Sequence, residues 1–124
     1  MRLRGIRGAT TVDANTREAI LEATIELLNA IIEANDVRRE DVASVFFSTT
    51  PDLNAEFPAL AARTHMGWDD IALMCMHEMN VPGSLPMCLR ILMHVNTAKR
   101  PDEIQFVYLR GAGALRADVA TNVD

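Results

Sequence analysis

Residues 16–34 carry Ile20, Thr24, Leu27, Leu28, Ile31 and Ala34 at helical spacing, and this single stripe constrains the fold most. A helix of roughly five turns with one apolar face must lay that face on a packed surface. Asp13 or Asn15 is expected to cap it, and Asn15 with Glu18 three residues on has the form of a capping box. The surface it needs follows at once. Residues 42–48, Val-Ala-Ser-Val-Phe-Phe-Ser, are β-branched and aromatic and predict a buried strand.

The rest of the chain supplies more of the same two kinds of element. Residues 3–11 alternate, with Gly5, Gly8 and two threonines, and read as a strand leaving into a loop; residues 71–75 read as another strand. Phe57-Pro58 opens a second helix that runs to about His65, with proline tolerated in the first turn. Ser84 is read as the cap of a third helix, with Leu85, Leu89, Leu92 and Val95 on one side and Pro86 in its first turn. Residues 102–110 read as a last strand. The order is therefore β-α-β-α-β-α-β, an α+β fold in which a mixed β-sheet has helices packed on one face. Because Phe106-Val107-Tyr108-Leu109 is apolar at both parities, that strand has no side suited to water. The opposite sheet face therefore has to be covered, most economically by another copy of the chain around a symmetry axis.

The 124 residues suit one domain, 1–124, with a mobile C-terminal tail expected from about 115. A net charge of −5 argues against a partner such as nucleic acid, whose phosphates need a basic face. No run approaches the ~18 apolar residues of a membrane span, and the first seven residues lack the apolar core of a secretory signal. Cys75 and Cys88 have no CxxC spacing and fit thiols of a reducing, cytoplasmic setting.

Four positions stand out chemically. Arg7 ends the first strand between Gly5 and Gly8, small neighbours that leave room for a ligand. Glu78 follows the strand that ends at Cys75. Arg90 lies among Leu89, Ile91 and Leu92, where an unpaired guanidinium would be costly. Tyr108, the single tyrosine, lies in the last strand. A buried Arg–Glu pair with a satisfied tyrosine hydroxyl is one account of them, and a ligand site is the other. Arg63 and Arg116 are either solvated charges or further ligand contacts. Cys75 and His77, two residues apart, ligate one metal only in unusual local geometry, and no second close ligand pair accompanies them, so no metal is expected. Neither a nucleophile with its base nor a glycine-rich phosphate loop is present.

Longer strings go beyond these residues. Arg4-Gly5-Ile6-Arg7-Gly8-Ala9-Thr10-Thr11-Val12 closely resembles the opening of the monofunctional chorismate mutases of the trimeric Bacillus type, the AroH class. Thr50-Pro51-Asp52-Leu53, Phe57-Pro58-Ala59, Gly67-Trp68, Cys75-Met76 with Glu78-Met79, Cys88 with Arg90, Val107-Tyr108-Leu109 and Leu115-Arg116 with Asp118 continue it, over nearly the whole chain.

The resemblance implies a homotrimer whose sheets form a pseudo-α/β-barrel, with active sites between adjacent subunits and no cofactor. It implies that the substrate is the chorismate dianion, rearranged to prephenate in aromatic amino-acid biosynthesis by a [3,3] Claisen shift. Such a shift needs neither proton transfer nor a covalent intermediate, so the missing nucleophile is expected. Carried over by position, Arg90 and Glu78 are the catalytic pair, on the breaking C–O bond and the cationic ring, with Arg7 and Tyr108 on the side-chain carboxylate and Cys75 assisting Glu78. Phe57, Ala59, Leu73, Met74 and Leu115 are implied as pocket walls, and Arg63 and Arg116 as residues of the mouth, the latter on a tail able to close. Leu60 stands where the family commonly has Lys, and Met74 where it commonly has Thr. The rival reading is an anion-binding module that keeps the cleft without turnover.

Overall fold

The computed structural model describes residues 1–115. Five strands, β1 (Arg2–Thr11), β2 (Val42–Thr49), β3 (Ala72–His77), β4 (Cys88–Thr97) and β5 (Val107–Tyr108), form one sheet in the order β3-β2-β4-β1-β5. β4 runs antiparallel to β1 and β2, while β3 is parallel to β2 and β5 parallel to β1. Helices α1 (Arg17–Asn35) and α2 (Ala59–His65) complete the fold. The sheet is mixed, as expected from the sequence.

The stripe on α1 does what its spacing demands. Ile20, Leu27, Leu28 and Ile31 are buried in one cluster with Ile6, Val45, Phe47, Leu89, Ile91 and Met93 from the three central strands. Gly8 permits the close approach: a Cβ there would lie 2.7 Å from Ile31 Cδ1 and 3.2 Å from Leu27 Cδ1. Gly8 thus makes room for the helix on one side, while its backbone lines the cleft beside Arg7 on the other. Gly5 does open toward the other face, where a Cβ would meet Leu92.

The expected third helix is a strand. Residues 88–97 form β4, the centre of the sheet, with Leu89, Ile91, Met93 and Val95 buried on the helix side and Arg90, Leu92 and Asn96 exposed. Leu and Met carry helix propensity, but ten register pairs with β1 and the ladder to β2 override it. Met87, at φ 52°, also breaks any helical run entering the segment. The order is β-α-β-α-β-β-β.

Two smaller expectations also change. Thr16, not Asp13 or Asn15, caps α1, accepting from the Ala19 N–H at 3.1 Å. Asn15 is committed elsewhere, its carboxamide oxygen accepting from the N–H groups of Asn54 and Ala55, each at 3.0 Å. The last strand shortens from 102–110 to Val107–Tyr108, because residues 101–103 make a 3-10 turn. The Asn35 side chain then replaces the ladder at Gln105, donating to its carbonyl (2.9 Å) and accepting from its N–H (2.7 Å).

The face opposite the helices carries Leu3, Phe46, Met74, Met76 and Leu92, of which Leu3 and Met74 are 55% and 56% exposed. No helix among the described residues is long and apolar enough to cross a membrane.

Candidate active site

Sheet register builds one row of the site. Ser48 on β2 is opposite Arg90 on β4, Arg90 is opposite Ala9 on β1, and Ala9 is opposite Tyr108 on β5. Four residues from four strands therefore share one rung. Ala9, between the two larger groups, keeps the space between Arg90 and Tyr108 open. Arg7 is two residues before Ala9 and so projects to the same, helix-free face.

Glu78 enters from the end of β3. Its N–H donates to the Thr49 carbonyl at 2.8 Å, extending the β2–β3 pairing by one step. The carboxylate meets Arg90 edge to edge, with Nε to Oε2 at 2.7 Å and Nη2 to Oε1 at 3.1 Å. Burial pushes the Glu78 carboxyl up, but hydrogen bonds from Arg90 and Ser48 and the guanidinium charge outweigh it, leaving it below the ordinary carboxylate value. The Arg90 guanidinium is held correspondingly higher by the bond to Glu78. Its side chain is half exposed, whereas that of Glu78 is largely covered.

These residues surround a cleft of about 570 Å³, lined by Arg7, Phe46, Glu78, Arg90, Tyr108 and Leu115 among others. The Arg7 guanidinium stands 4.7 Å from the Phe106 ring centroid, a cation–π contact that holds the long side chain at the rim. The cleft thus combines two guanidinium groups, a phenol and a carboxylate with an apolar wall. It can hold an anion at one end and stabilise positive charge at the other.

A second cleft of about 310 Å³ lies toward the helices. Thr49, Leu53, Phe57, Cys75 and His77 line it, and Met76 lines both clefts, so the two adjoin near the end of edge strand β3. Burial pushes the Cys75 thiol up, partly offset by the Ala59 N–H 3.4 Å from Sγ and by the charge of Arg63. Leu73 and Ala59 pack against the core, Met74 turns to the open sheet face, and Arg63 is exposed in the last turn of α2.

The structure thus brings Arg7, Glu78, Arg90, Tyr108 and Leu115 together and puts Phe57 and Cys75 in a separate, adjoining cleft. Cys75 does not share the Glu78 cleft within one chain. Arg116 and the tail beyond Leu115 lie outside the described residues. Ser48, Thr49 and Phe106 were not singled out from the sequence. Only Phe106 left a trace there, as an aromatic two residues before Tyr108, on the same face of an extended segment. Among the described residues no three metal-ligating side chains converge.

The sequence matches the family described as chorismate mutase type I over residues 3–119. The chain belongs to that family. It is 48% identical to the Bacillus subtilis chorismate mutase AroH over 120 residues, covering 97% of this chain and 94% of that protein. To the Thermus thermophilus chorismate mutase AroH it is 47% identical over 118 residues, covering 94% and 96%. The structure superimposes on a chorismate mutase from Clostridium thermocellum with a TM-score of 0.87 and 50% identity, covering 90% of this chain and 98% of that one. As a chorismate mutase the chain is an isomerase.

Proposed function

We propose that the Arg7–Glu78–Arg90–Tyr108 cleft is where this chorismate mutase rearranges the chorismate dianion to prephenate. The observation that carries the assignment is the Arg90–Glu78 pair at the centre of a cleft with both charges preset. The [3,3] shift breaks an ether C–O bond while a C–C bond forms, with negative charge growing on the ether oxygen and positive charge on the ring. Arg90 donates to the ether oxygen and to the side-chain carboxylate. Glu78 lies toward the cationic ring and its hydroxyl. Arg7 and Tyr108 hold the carboxylate and fold the flexible side chain over the ring, which supplies orientation. Fixed charges that need no rearrangement supply the rest. A net-acidic chain can still bind a dianion, because the local field of the cleft governs binding.

The complete site is formed between adjacent subunits of a homotrimer: the Arg90 cleft of one subunit is closed by the Phe57, Ala59, Arg63, Leu73, Met74 and Cys75 wall of its neighbour. Two features support this. Phe57 is 68% exposed although it heads that wall, and the helix-free sheet face carries Leu3, Met74 and Leu92 uncovered. Sheets facing one another around a threefold axis cover both. The Arg116 tail closes the mouth, and the cytoplasm, where free thiols persist, is the compartment.

Loss of chorismate absorbance on adding protein tests the activity, and its absence with pure, folded protein would overturn the reading. Mass measurement at micromolar concentration tests the assembly. A trimer is expected; a fully active monomer would exclude a site shared between subunits.

A further inference from the structure

Phe106 is an aromatic residue that the core does not use. Its ring is 40% exposed, and while Ile104, Val107 and Leu109 of the same segment pack against the core, Phe106 turns away from it. Its backbone is nevertheless fixed on both sides. Asn35 holds Gln105, donating to its carbonyl (2.9 Å) and accepting from its N–H (2.7 Å), and Val107 and Tyr108 pair with Gly8 and Ala9 of β1. Arg7 precedes Gly8 as Phe106 precedes Val107. In this parallel ladder the two therefore stand side by side, on the face that Ala9 and Tyr108 share. The Arg7 guanidinium carbon lies over the ring, 4.7 Å from its centroid.

The charge of the cleft gives that contact its weight. Among the described residues the charged side chains lining it are Arg7, Glu78 and Arg90, and Glu78 and Arg90 cancel within their own pair. The ion pairs among the described residues do not include Arg7. Its charge is therefore the uncompensated one that an anionic ligand meets. A free arginine side chain samples many rotamers, and a ligand that binds it must freeze them. A carboxylate neighbour would hold the guanidinium but would cancel its charge and occupy N–H donors. A ring face restrains the group and leaves both charge and donors to the ligand.

We infer that Phe106 is a positioning residue for Arg7: the face of its ring holds the guanidinium at the cleft, ready for the side-chain carboxylate of the substrate. This rests on the proposed function, in which Arg7 grips that carboxylate. Arranging Arg7 in advance strengthens binding of ground state and transition state alike, so the effect falls on KM and leaves kcat in place. It also depends on aromatic character and not on bulk, which separates positioning from packing.

Steady-state kinetics with chorismate on Phe106→Leu and Phe106→Trp, each in the full chain, test this. Leu keeps apolar bulk without a ring face, and Trp supplies a stronger one. Phe106→Leu is expected to raise KM about 2- to 5-fold, the scale of one exposed cation–π contact, with kcat within about 1.5-fold and an unchanged Tm. Phe106→Trp is expected to keep the wild-type KM. In an Arg7→Gln background, Phe106→Leu is expected to leave kcat/KM unchanged, since the ring then has no cation to hold. In the wild type, the Arg7 Nε–H proton is expected upfield of an ordinary arginine by NMR, shielded by the ring, a measurement that needs no variant. An unchanged KM in Phe106→Leu, a KM as high in Phe106→Trp, an equal loss in the Arg7→Gln background, or an Arg7 proton without a ring shift overturns the inference while leaving the activity intact. Absence of wild-type turnover would instead remove the proposed function beneath it, and the inference with it.

Discussion

Arg90 and Glu78 meet edge to edge, and the pairing consumes only part of the guanidinium. Of its five N–H donors, Nε and one on Nη2 serve Glu78, which leaves three for a ligand. The pair therefore need not break for Arg90 to bind a developing oxyanion. Glu78 fixes the plane of the guanidinium in advance, so that in the proposed reaction little orientation has to be gained.

Replacing Arg90 removes both charge and fork. Arg90→Gln is expected to lower kcat by about 10²–10³, the cost of losing an oxyanion donor, with the fold retained by circular dichroism. Arg90→Lys keeps charge without the planar grip and is expected to recover only part of the loss. Near wild-type turnover in Arg90→Gln would remove Arg90 from the chemistry.

Glu78 makes a different demand on pH. Its folded pKa lies below its unfolded value, so its stabilising contribution is fully present above about pH 5 and fades as pH falls through the folded value. Urea unfolding of wild type and Glu78→Gln is therefore expected to show a stability gap at pH 7 that narrows toward pH 3. The same variant is expected to lose kcat clearly, though less than Arg90→Gln. An unchanged rate would reduce Glu78 to a structural partner.

Gly8 is expected to tolerate no side chain. Gly8→Ala puts a methyl 2.7 Å from Ile31 Cδ1, and overpacking of this kind costs about 1–3 kcal/mol. A lowered Tm checks it, and adding Ile31→Val, which trims the clashing atom, is expected to restore part of the loss.

Asn35 holds β5 from a distance. Asn35→Ala leaves the Gln105 N–H and carbonyl without their partners, a loss of roughly 1–3 kcal/mol. Because Tyr108 lies three residues beyond Gln105, KM for chorismate is expected to rise more than kcat falls, which steady-state kinetics would separate.

Local signals carried α1, β1 and β2 well. A 3.6-residue stripe and a run of β-branched residues are nearest-neighbour facts that survive any tertiary context in which the apolar face is buried. The stretch around Leu85, Leu89, Leu92 and Val95 failed because the same residues also satisfy a strand: Leu89, Ile91, Met93 and Val95 alternate as cleanly as the others recur. Periodicity cannot choose between two periods that both fit, and only pairing partners distant in sequence, β1 and β2, decide. The last strand shortened for a related reason, since Asn35, 70 residues away, supplies the hydrogen bonds that a ladder would have made.

The four polar residues of the main cleft were legible as types, and their kinship with chorismate mutase was legible in strings such as residues 4–12 and 107–109. The sequence by itself determined that this chain must cover one face of a sheet with α1, and it marked Arg7, Glu78, Arg90 and Tyr108 as the polar residues to weigh as a site. Only the tertiary structure decided that Ser48, Arg90, Ala9 and Tyr108 share one rung, that Gly8 faces the helix, and that Cys75 and His77 open into a second cleft. Each of these depends on register, and a shift of one residue would turn every side chain to the opposite face. Register is set by hydrogen bonds between segments far apart in the chain, which no local pattern records.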